Sequence, residues 1–417
     1  METERGRPRA LSWQTGSYWR HLKRYMHSPE HHFVAIAPSE LASLCSDELR
    51  ALGIEKTTLS EAGVEFSGRL EACYTANLWL STASRVLCRL PSTRTGAVEE
   101  LFGKVSAWGW EWWLSAEAPL HVEAHVEHSR ISHEGLVAQT VLSGIQKRFK
   151  EAGAPVPLPW AGSGEETASV RHDSSASEWR QRVLVRLMDN QCAISLDTTG
   201  AHLHQRGYRP VHAGAPLRET LAAAVLRKVG WRGESPLVDG MCGAGTVPIE
   251  GARLARKLPP GMDRTFLFQK WPSFKGRTWH HLLQKARDGA LPEAPAPIVA
   301  VEMSPEAMEI AQANAMRAGV EKDIRWRPMD FFQFRPAEEG LAPGVVVLDP
   351  PYGKRLEGGG RDWFEQLGRH LREAFAGWRL AVLMPEKSLA MSMRIPGMRF
   401  WNIRHGGMEI VVGLATV

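Results

Sequence analysis

The apolar positions follow different periods along the chain, and the change of period divides it in two. Phe33-Val34-Ala35-Ile36 reads as a short strand, and Leu41, Leu44, Cys45, Leu49 and Leu52 then recur at helical spacing until Gly53. A strand around 63–66, a helix over 69–79 and a strand over 83–90 follow, which makes a small α+β unit. In a second unit, Trp108, Trp110, Trp112 and Trp113 crowd residues 98–114. They read first as staples of a small core and second as a platform for stacked bases. Residues 120–128 alternate, with Leu120, Val122, Ala124 and Val126 on one face and His121, Glu123, His125 and Glu127 on the other. A helix over 132–150, a Pro-, Gly- and Ser-rich loop over 151–178 and a hairpin over 182–197 complete this unit. From about residue 216 strands alternate with helices, which predicts a mostly parallel sheet covered on both faces. Its strands fall at 236–239, 298–301, 344–348 and 379–384, with helices at 218–229 and 305–318. Residues 400–417 pair two closing strands across Gly406-Gly407.

Composition narrows the class. The 417 residues, 43% hydrophobic and 23% charged, suit two or three soluble domains. A net charge of +5 permits a polyanion partner without requiring one. No run approaches the roughly 18 apolar residues that span a bilayer, and residues 1–30 read as a flexible basic arm rather than a leader. The five cysteines, Cys45, Cys73, Cys88, Cys192 and Cys242, form no C-x-x-C. His121 and His125 read as a solvated face. The expectation is a cytoplasmic protein with no membrane span, disulfide framework or metal site; its oligomeric state is not legible.

Four motifs carry the chemistry. Leu237-Val238-Asp239-Gly240-Met241-Cys242-Gly243-Ala244-Gly245-Thr246 runs from an apolar strand through a Gly-rich turn into a helix. Glycines let a ligand approach the backbone closely, and the missing Lys excludes a phosphate P-loop. The spacing resembles the loop that binds S-adenosylmethionine (SAM). Glu302 ends strand 298–301, where a carboxylate can accept from both ribose hydroxyls of a nucleoside. Its distance from Asp239 demands an insertion over 253–297, with a Trp-containing helix near 279–288. Asp330 and Phe331 close Arg327-Pro328-Met329-Asp330-Phe331, where methyltransferases carry an acid for the adenine amino group. Asp349-Pro350-Pro351-Tyr352 ends a buried strand, and its two prolines force an extended, rigid backbone. That turns the Asp349 carboxylate and the Pro350 carbonyl toward one point. Two acceptors gripping an exocyclic base amine localise its delocalised lone pair for in-line attack on a methyl group, and Tyr352 can stack on the flipped base.

With these strings in order, the chain resembles the bacterial THUMP-domain RNA guanine-N2 methyltransferases, nearest to the N-terminal half of the large-subunit ribosomal RNA methyltransferase L group. Leu203-His204-Gln205-Arg206-Gly207-Tyr208-Arg209, Ala215–Ala224, Asn314-Ala315 and Ala318-Gly319 extend the likeness. The resemblance implies a ferredoxin-like domain over 31–95, a THUMP RNA-binding domain over 96–200 and a Rossmann-like SAM-dependent methyltransferase domain over 201–417. It implies S-adenosyl-L-methionine contacts from Thr220, Asp239, Met241, Cys242, Gly243, Gly245, Thr246, Glu302, Met303, Asp330 and Phe331. Catalysis falls to Asp349, Pro350, Pro351 and Tyr352. Arg130, Lys147, Arg148 and Lys150 would meet RNA phosphates, and Arg206 and Arg209 would contact RNA or brace the domain junction. The substrate implied is 23S ribosomal RNA, with transfer RNA as the alternative. The second methyltransferase half of the enterobacterial fusion is not matched. Gly240 and Ala244 replace a more usual Pro and Ser, Glu302 replaces Asp, and Asp349 stands where many ribosomal RNA members carry Asn. An adenine-N6 methyltransferase and a catalytically silent RNA-binding assembly factor are the competing readings.

Overall fold

The computed structural model describes residues 26–27, 29–160, 180–209, 217–350, 360–405 and 408–417. Pro351 and Tyr352, the arm over 1–25 and most of the 151–178 loop lie outside these residues.

The N-terminal half is built on one sheet. Strands β1 (His31–Ile36), β2 (Thr57–Ser60), β3 (Gly63–Gly68) and β4 (Arg85–Arg89) alternate with helices α1 (Ser39–Ala51) and α2 (Leu70–Trp79). After β5 (Thr93–Arg94) and α3 (Val98–Ser106) come β6 (Leu120–Glu127), α4 (Glu134–Glu151), β7 (Gln181–Met188) and β8 (Gln191–Asp197). The order is β2-β3-β1-β4-β8-β7-β6, with β5 beside β8. Leu87 of β4 pairs with Asp197 of β8, so the sheet runs unbroken across the boundary expected at residue 95. The hairpin turn explains itself: Asp189 and Asn190 both hold positive φ, 49° and 62°, which a tight primed turn requires and these residues tolerate. Trp110 and Trp113 are buried and Trp108 and Trp112 half-buried, and the Trp110 indole N–H donates to the Val105 carbonyl at 2.7 Å. The staple reading of the tryptophans holds. Strand β2 carried no clear apolar alternation and was not expected.

The C-terminal half opens with α5 (Glu219–Lys228), β9 (Leu237–Asp239) and α6 (Thr246–Ala255). The insertion follows, with α7 (Gly276–Asp288), and then β10 (Ile298–Glu302), α8 (Pro305–Arg317) and β11 (Ile324–Pro328). The chain ends with β12 (Val345–Leu348), α9 (Gly360–Ala374), β13 (Arg379–Met384), α10 (Lys387–Ser392), β14 (Arg399–His405) and β15 (Met408–Thr416). The sheet order is β11-β10-β9-β12-β13-β15-β14; the first five strands are parallel, and β15 pairs antiparallel with both β13 and β14, the closing antiparallel pair expected. Every residue of β9 and β12 is buried, the mark of strands covered on both faces.

The two halves share a polar and an aromatic seam. Glu48 of α1 accepts the backbone N–H groups of Ser81 and Thr82 at 3.0 and 3.1 Å and meets the Arg227 guanidinium of α5 at 2.9 Å. Tyr74 of α2 stacks on Phe268 of the insertion at 4.5 Å, and Trp279 of α7 meets Phe268 edge-on at 5.4 Å. Without Glu48, two buried N–H groups and a guanidinium would lose their acceptor, so this contact fixes the half-to-half geometry.

Candidate active site

The strand order brings the motifs together. β9 lies between β10 and β12, with Asp239 paired to Ala300 on one side and to Val347 on the other. Asp239, Glu302 and Asp349 therefore leave three neighbouring strands at the same edge, and Asp330 follows the next strand outward. The chain reverses its direction of travel across the sheet between β9 and β12, the switch point at whose carboxyl ends open α/β sheets bind their ligands.

The Gly-rich turn is pinned from both sides. Gly240 N–H donates to the Val347 carbonyl at 3.1 Å and Cys242 N–H to the Val301 carbonyl at 3.0 Å. The buried Asn314 amide of α8 donates to the Ala244 carbonyl at 3.0 Å. Gly245 begins α6 at φ 81°, and a Cβ there would sit 3.0 Å from that of Ala311. Gly240 meets a steric limit instead. A Cβ on it would lie 2.4 Å from Leu348 Cδ2 and 2.6 Å from the Phe331 ring. Gly240, which stands in place of a more usual Pro, is thus coupled to Phe331. That ring is 3% exposed and packs on His370 and Phe375 at 5.0 and 5.4 Å. The Phe331 side chain thus belongs to the core beneath the turn.

The carboxylates differ in environment. Asp239 is 2% exposed and its Oδ1 accepts the Met241 N–H at 3.3 Å. Burial, then the nearby Asp349 and Glu302 charges, hold its carboxyl well above the usual range. Glu302 spends one oxygen on the Gly243 N–H at 3.0 Å and the other on the Ser304 N–H at 2.9 Å, so it ties the turn to the start of α8. Each oxygen keeps a lone pair for a further donor. Asp330 caps a short 3-10 turn by accepting the Phe332 N–H at 2.9 Å. Met303 is exposed beside Glu302, Met241 is half-buried, and Thr220 is buried in the first turn of α5. The Cys242 thiol is pushed far up by burial and by the nearby Asp239 charge. Glu302, Asp330 and Asp349 cluster with Asp239 at this edge of the sheet, a set of carboxylates that suits the ammonium and sulfonium of SAM. Asp349 is half-buried and Pro350 buried at the end of β12.

The cations expected to meet RNA mostly find partners within the chain. Arg206 is 2% exposed; it donates to the Leu203 and Ser81 carbonyls at 2.6 and 2.7 Å and to Glu250 of α6 at 3.3 Å. Arg209 donates to the Leu217 carbonyl and Thr246 Oγ1 at 3.1 and 3.0 Å and pairs with buried Glu219 at 3.0 Å. Of the two roles expected for this pair, the structure shows bracing; desolvation and committed hydrogen bonds take both away from phosphate. Arg148 is likewise engaged by buried Glu111 at 2.5 Å, and Lys147 pairs with Glu151 at 2.8 Å. Arg130 and Lys150 are exposed. Sequence reasoning missed Glu219, Glu250 and the Tyr208 hydroxyl that donates to Glu250 at 3.1 Å. The available signal was Glu250, one helical turn beyond Thr246 and inside an otherwise apolar stretch of α6.

A family described as "RMKL-like, methyltransferase domain" matches residues 206–409, and one described as "RlmL ferredoxin-like domain" matches residues 32–87. The chain is 33% identical to the Ribosomal RNA large subunit methyltransferase K/L of Syntrophotalea carbinolica, over 90% of this chain and 52% of that protein. It thus spans about half the length of this relative. It is 29% identical to slr0064 of Synechocystis sp., which carries the provisional name of an RNA methyltransferase, over 90% of this chain and 94% of that one. The crystal structure of SMU.472, described as a methyltransferase complexed with SAH, superimposes with a TM-score of 0.79 at 25% identity, covering 93% of this chain and 98% of the other.

Proposed function

We propose that this chain, similar to the RlmL-like SAM-dependent methyltransferases over residues 206–409 and 32–87, methylates the exocyclic N2 of a guanosine in structured RNA, with 23S ribosomal RNA as substrate. The observation that carries this reading is the placement of Asp349 and Pro350 directly after β12, the strand paired with the one that ends in Asp239 and leads into the Gly-rich turn. SAM, when bound, supplies an electrophilic methyl group. The chain supplies the rest. Asp239, Glu302 and Asp330 set out acceptors along the carboxyl edge for the ammonium, ribose and adenine amine. The Asp349 carboxylate and the Pro350 carbonyl accept the two N–H bonds of the base amine, so the nitrogen lone pair faces the methyl and its proton has an acceptor as the bond forms. We assign residues 96–200 to a THUMP domain that docks RNA through exposed Arg130 and Lys150. Five buried, unbridged cysteines suit a cytoplasmic setting, and among the described residues no helix is long and apolar enough to cross a membrane.

Asp at position 349, rather than the Asn of many ribosomal RNA members, favours transfer RNA as a second reading. The test incubates the protein with methyl-labelled SAM and, separately, large-subunit ribosomal RNA and transfer RNA that lack the modification. Label in N2-methylguanosine from ribosomal RNA supports the first reading, and the same nucleoside from transfer RNA the second. Label in N6-methyladenosine, or none with SAM bound, refutes both.

A further inference from the structure

The insertion presents a basic surface that the site does not use. Helix α7 turns Trp279 and Ala286 into the core, while Arg277, His280, His281, Lys285 and Arg287 are exposed. The one acid on the helix, Asp288, accepts from the Gln284 amide at 2.7 Å. Among the described residues no ion pair engages Arg277, Lys285 or Arg287. Lys147, Arg148, Arg206 and Arg209 are by contrast neutralised within the chain.

Helix-end electrostatics account for only part of this. Lys285 and Arg287 occupy the last turn, where the helix dipole favours cations. Arg277 occupies the opposite end, where the dipole opposes a cation, and the first turn holds no acid, while Lys275 beside it pairs with Glu71 at 3.8 Å. Cations at both ends of a solvated face mark an external anion better than they mark helix stability.

The face is also held firmly. Tyr74, Phe268, Phe274 and Trp279 form one aromatic cluster between α2 and the insertion, with ring separations of 4.5 to 6.4 Å. The Tyr74 hydroxyl accepts the Lys275 backbone N–H at 3.2 Å. A surface fixed to both halves needs no ordering when it binds. The insertion leaves from the end of α6 and returns to the start of β10, so both its ends lie at the sheet edge opposite the carboxyl ends of the strands.

We propose that the solvent face of α7, through Arg277, Lys285 and Arg287, grips substrate RNA phosphates remote from the base being methylated. The inference rests on the RNA reading above. An RNA that engages both edges must span the domain, so the contact selects large structured RNA over short hairpins.

The test measures RNA affinity against salt for the full chain and for an Arg277→Gln/Lys285→Gln/Arg287→Gln variant, with large-subunit ribosomal RNA and with a short hairpin. Three lost phosphate contacts lower the slope of log affinity against log salt by about 2–3 for the large RNA. The hairpin slope, SAM affinity and melting temperature stay at wild-type values, and an Arg277→Lys/Arg287→Lys variant keeps the wild-type slope. An unchanged slope with the large RNA, in a protein that binds it, overturns this inference and leaves the RNA reading standing. Failure of the wild-type chain to bind either RNA overturns both.

Discussion

The Arg209 guanidinium donates to Thr246 Oγ1 at 3.0 Å, and so ties the segment that leaves the N-terminal half to the first residue of the helix that starts at the Gly-rich turn. One turn later on the same helix, Glu250 receives Arg206 and Tyr208. The stretch from Leu203 to Arg209 therefore grips one face of α6 at two levels.

Arg209→Ala should loosen the turn and weaken SAM binding by about tenfold, the effect of losing a charged hydrogen bond of about 1.5 kcal/mol. The salt slope of RNA binding should stay unchanged, because Arg209 faces Glu219 and Thr246 rather than solvent. Calorimetry with SAM and filter binding with RNA separate the two roles. A fall in salt slope with intact SAM affinity would return Arg209 to the RNA surface.

Asp239 gives a pH-dependent signature. Its carboxyl in the folded chain holds a proton at pH values where an unfolded Asp has already ionised. The folded state thus binds more protons than the unfolded one above the ordinary Asp range, and stability without SAM falls as pH rises toward the elevated folded value. Asp239→Asn should remove that loss, raising the melting temperature at neutral pH while abolishing SAM-induced stabilisation. Melting curves against pH, with and without SAM, read both effects; an Asn variant that melts lower than wild type at neutral pH would contradict the assignment.

Asp349→Ala should cut turnover by about 100- to 1000-fold, the usual cost of one preorganised transition-state contact. SAM affinity should change little, since the residue is placed to grip the base amine. Asp349→Asn retains an acceptor oxygen and should recover part of the activity. Single-turnover rates with a saturating methyl donor are the measurement; wild-type rates for the Ala variant would dismiss the proposed grip.

Gly240→Ala should destabilise the chain by about 1–3 kcal/mol through overpacking against Phe331 and Leu348. Phe331→Leu opens space beneath the turn, so the double variant should be more stable than the sum of the single changes implies. Denaturant titrations of the four proteins close the cycle, and strict additivity would show that the turn relaxes elsewhere.

Much of the site could be read directly from the chain. Strand–turn–helix grammar is local, so the apolar runs that end in Asp239, Glu302 and Asp349 announced a parallel sheet with acids at its carboxyl edge. The hairpin over 182–197 and the closing pair of strands at 400–417 were legible for the same reason. What tertiary structure alone decided is which partner each polar group meets. Arg206 and Arg209 look the same in sequence whether they face phosphate or a buried carboxylate, and only the packing of α6 against the N-terminal half brings Glu250 and Glu219 to them. Phe331 follows an acid in a cofactor motif, yet the absence of a side chain at Gly240, some 90 residues earlier, opens the space that draws its ring inward. Local pattern fixes where the backbone turns; burial and pairing depend on residues distant in the chain, and no spacing rule encodes those contacts.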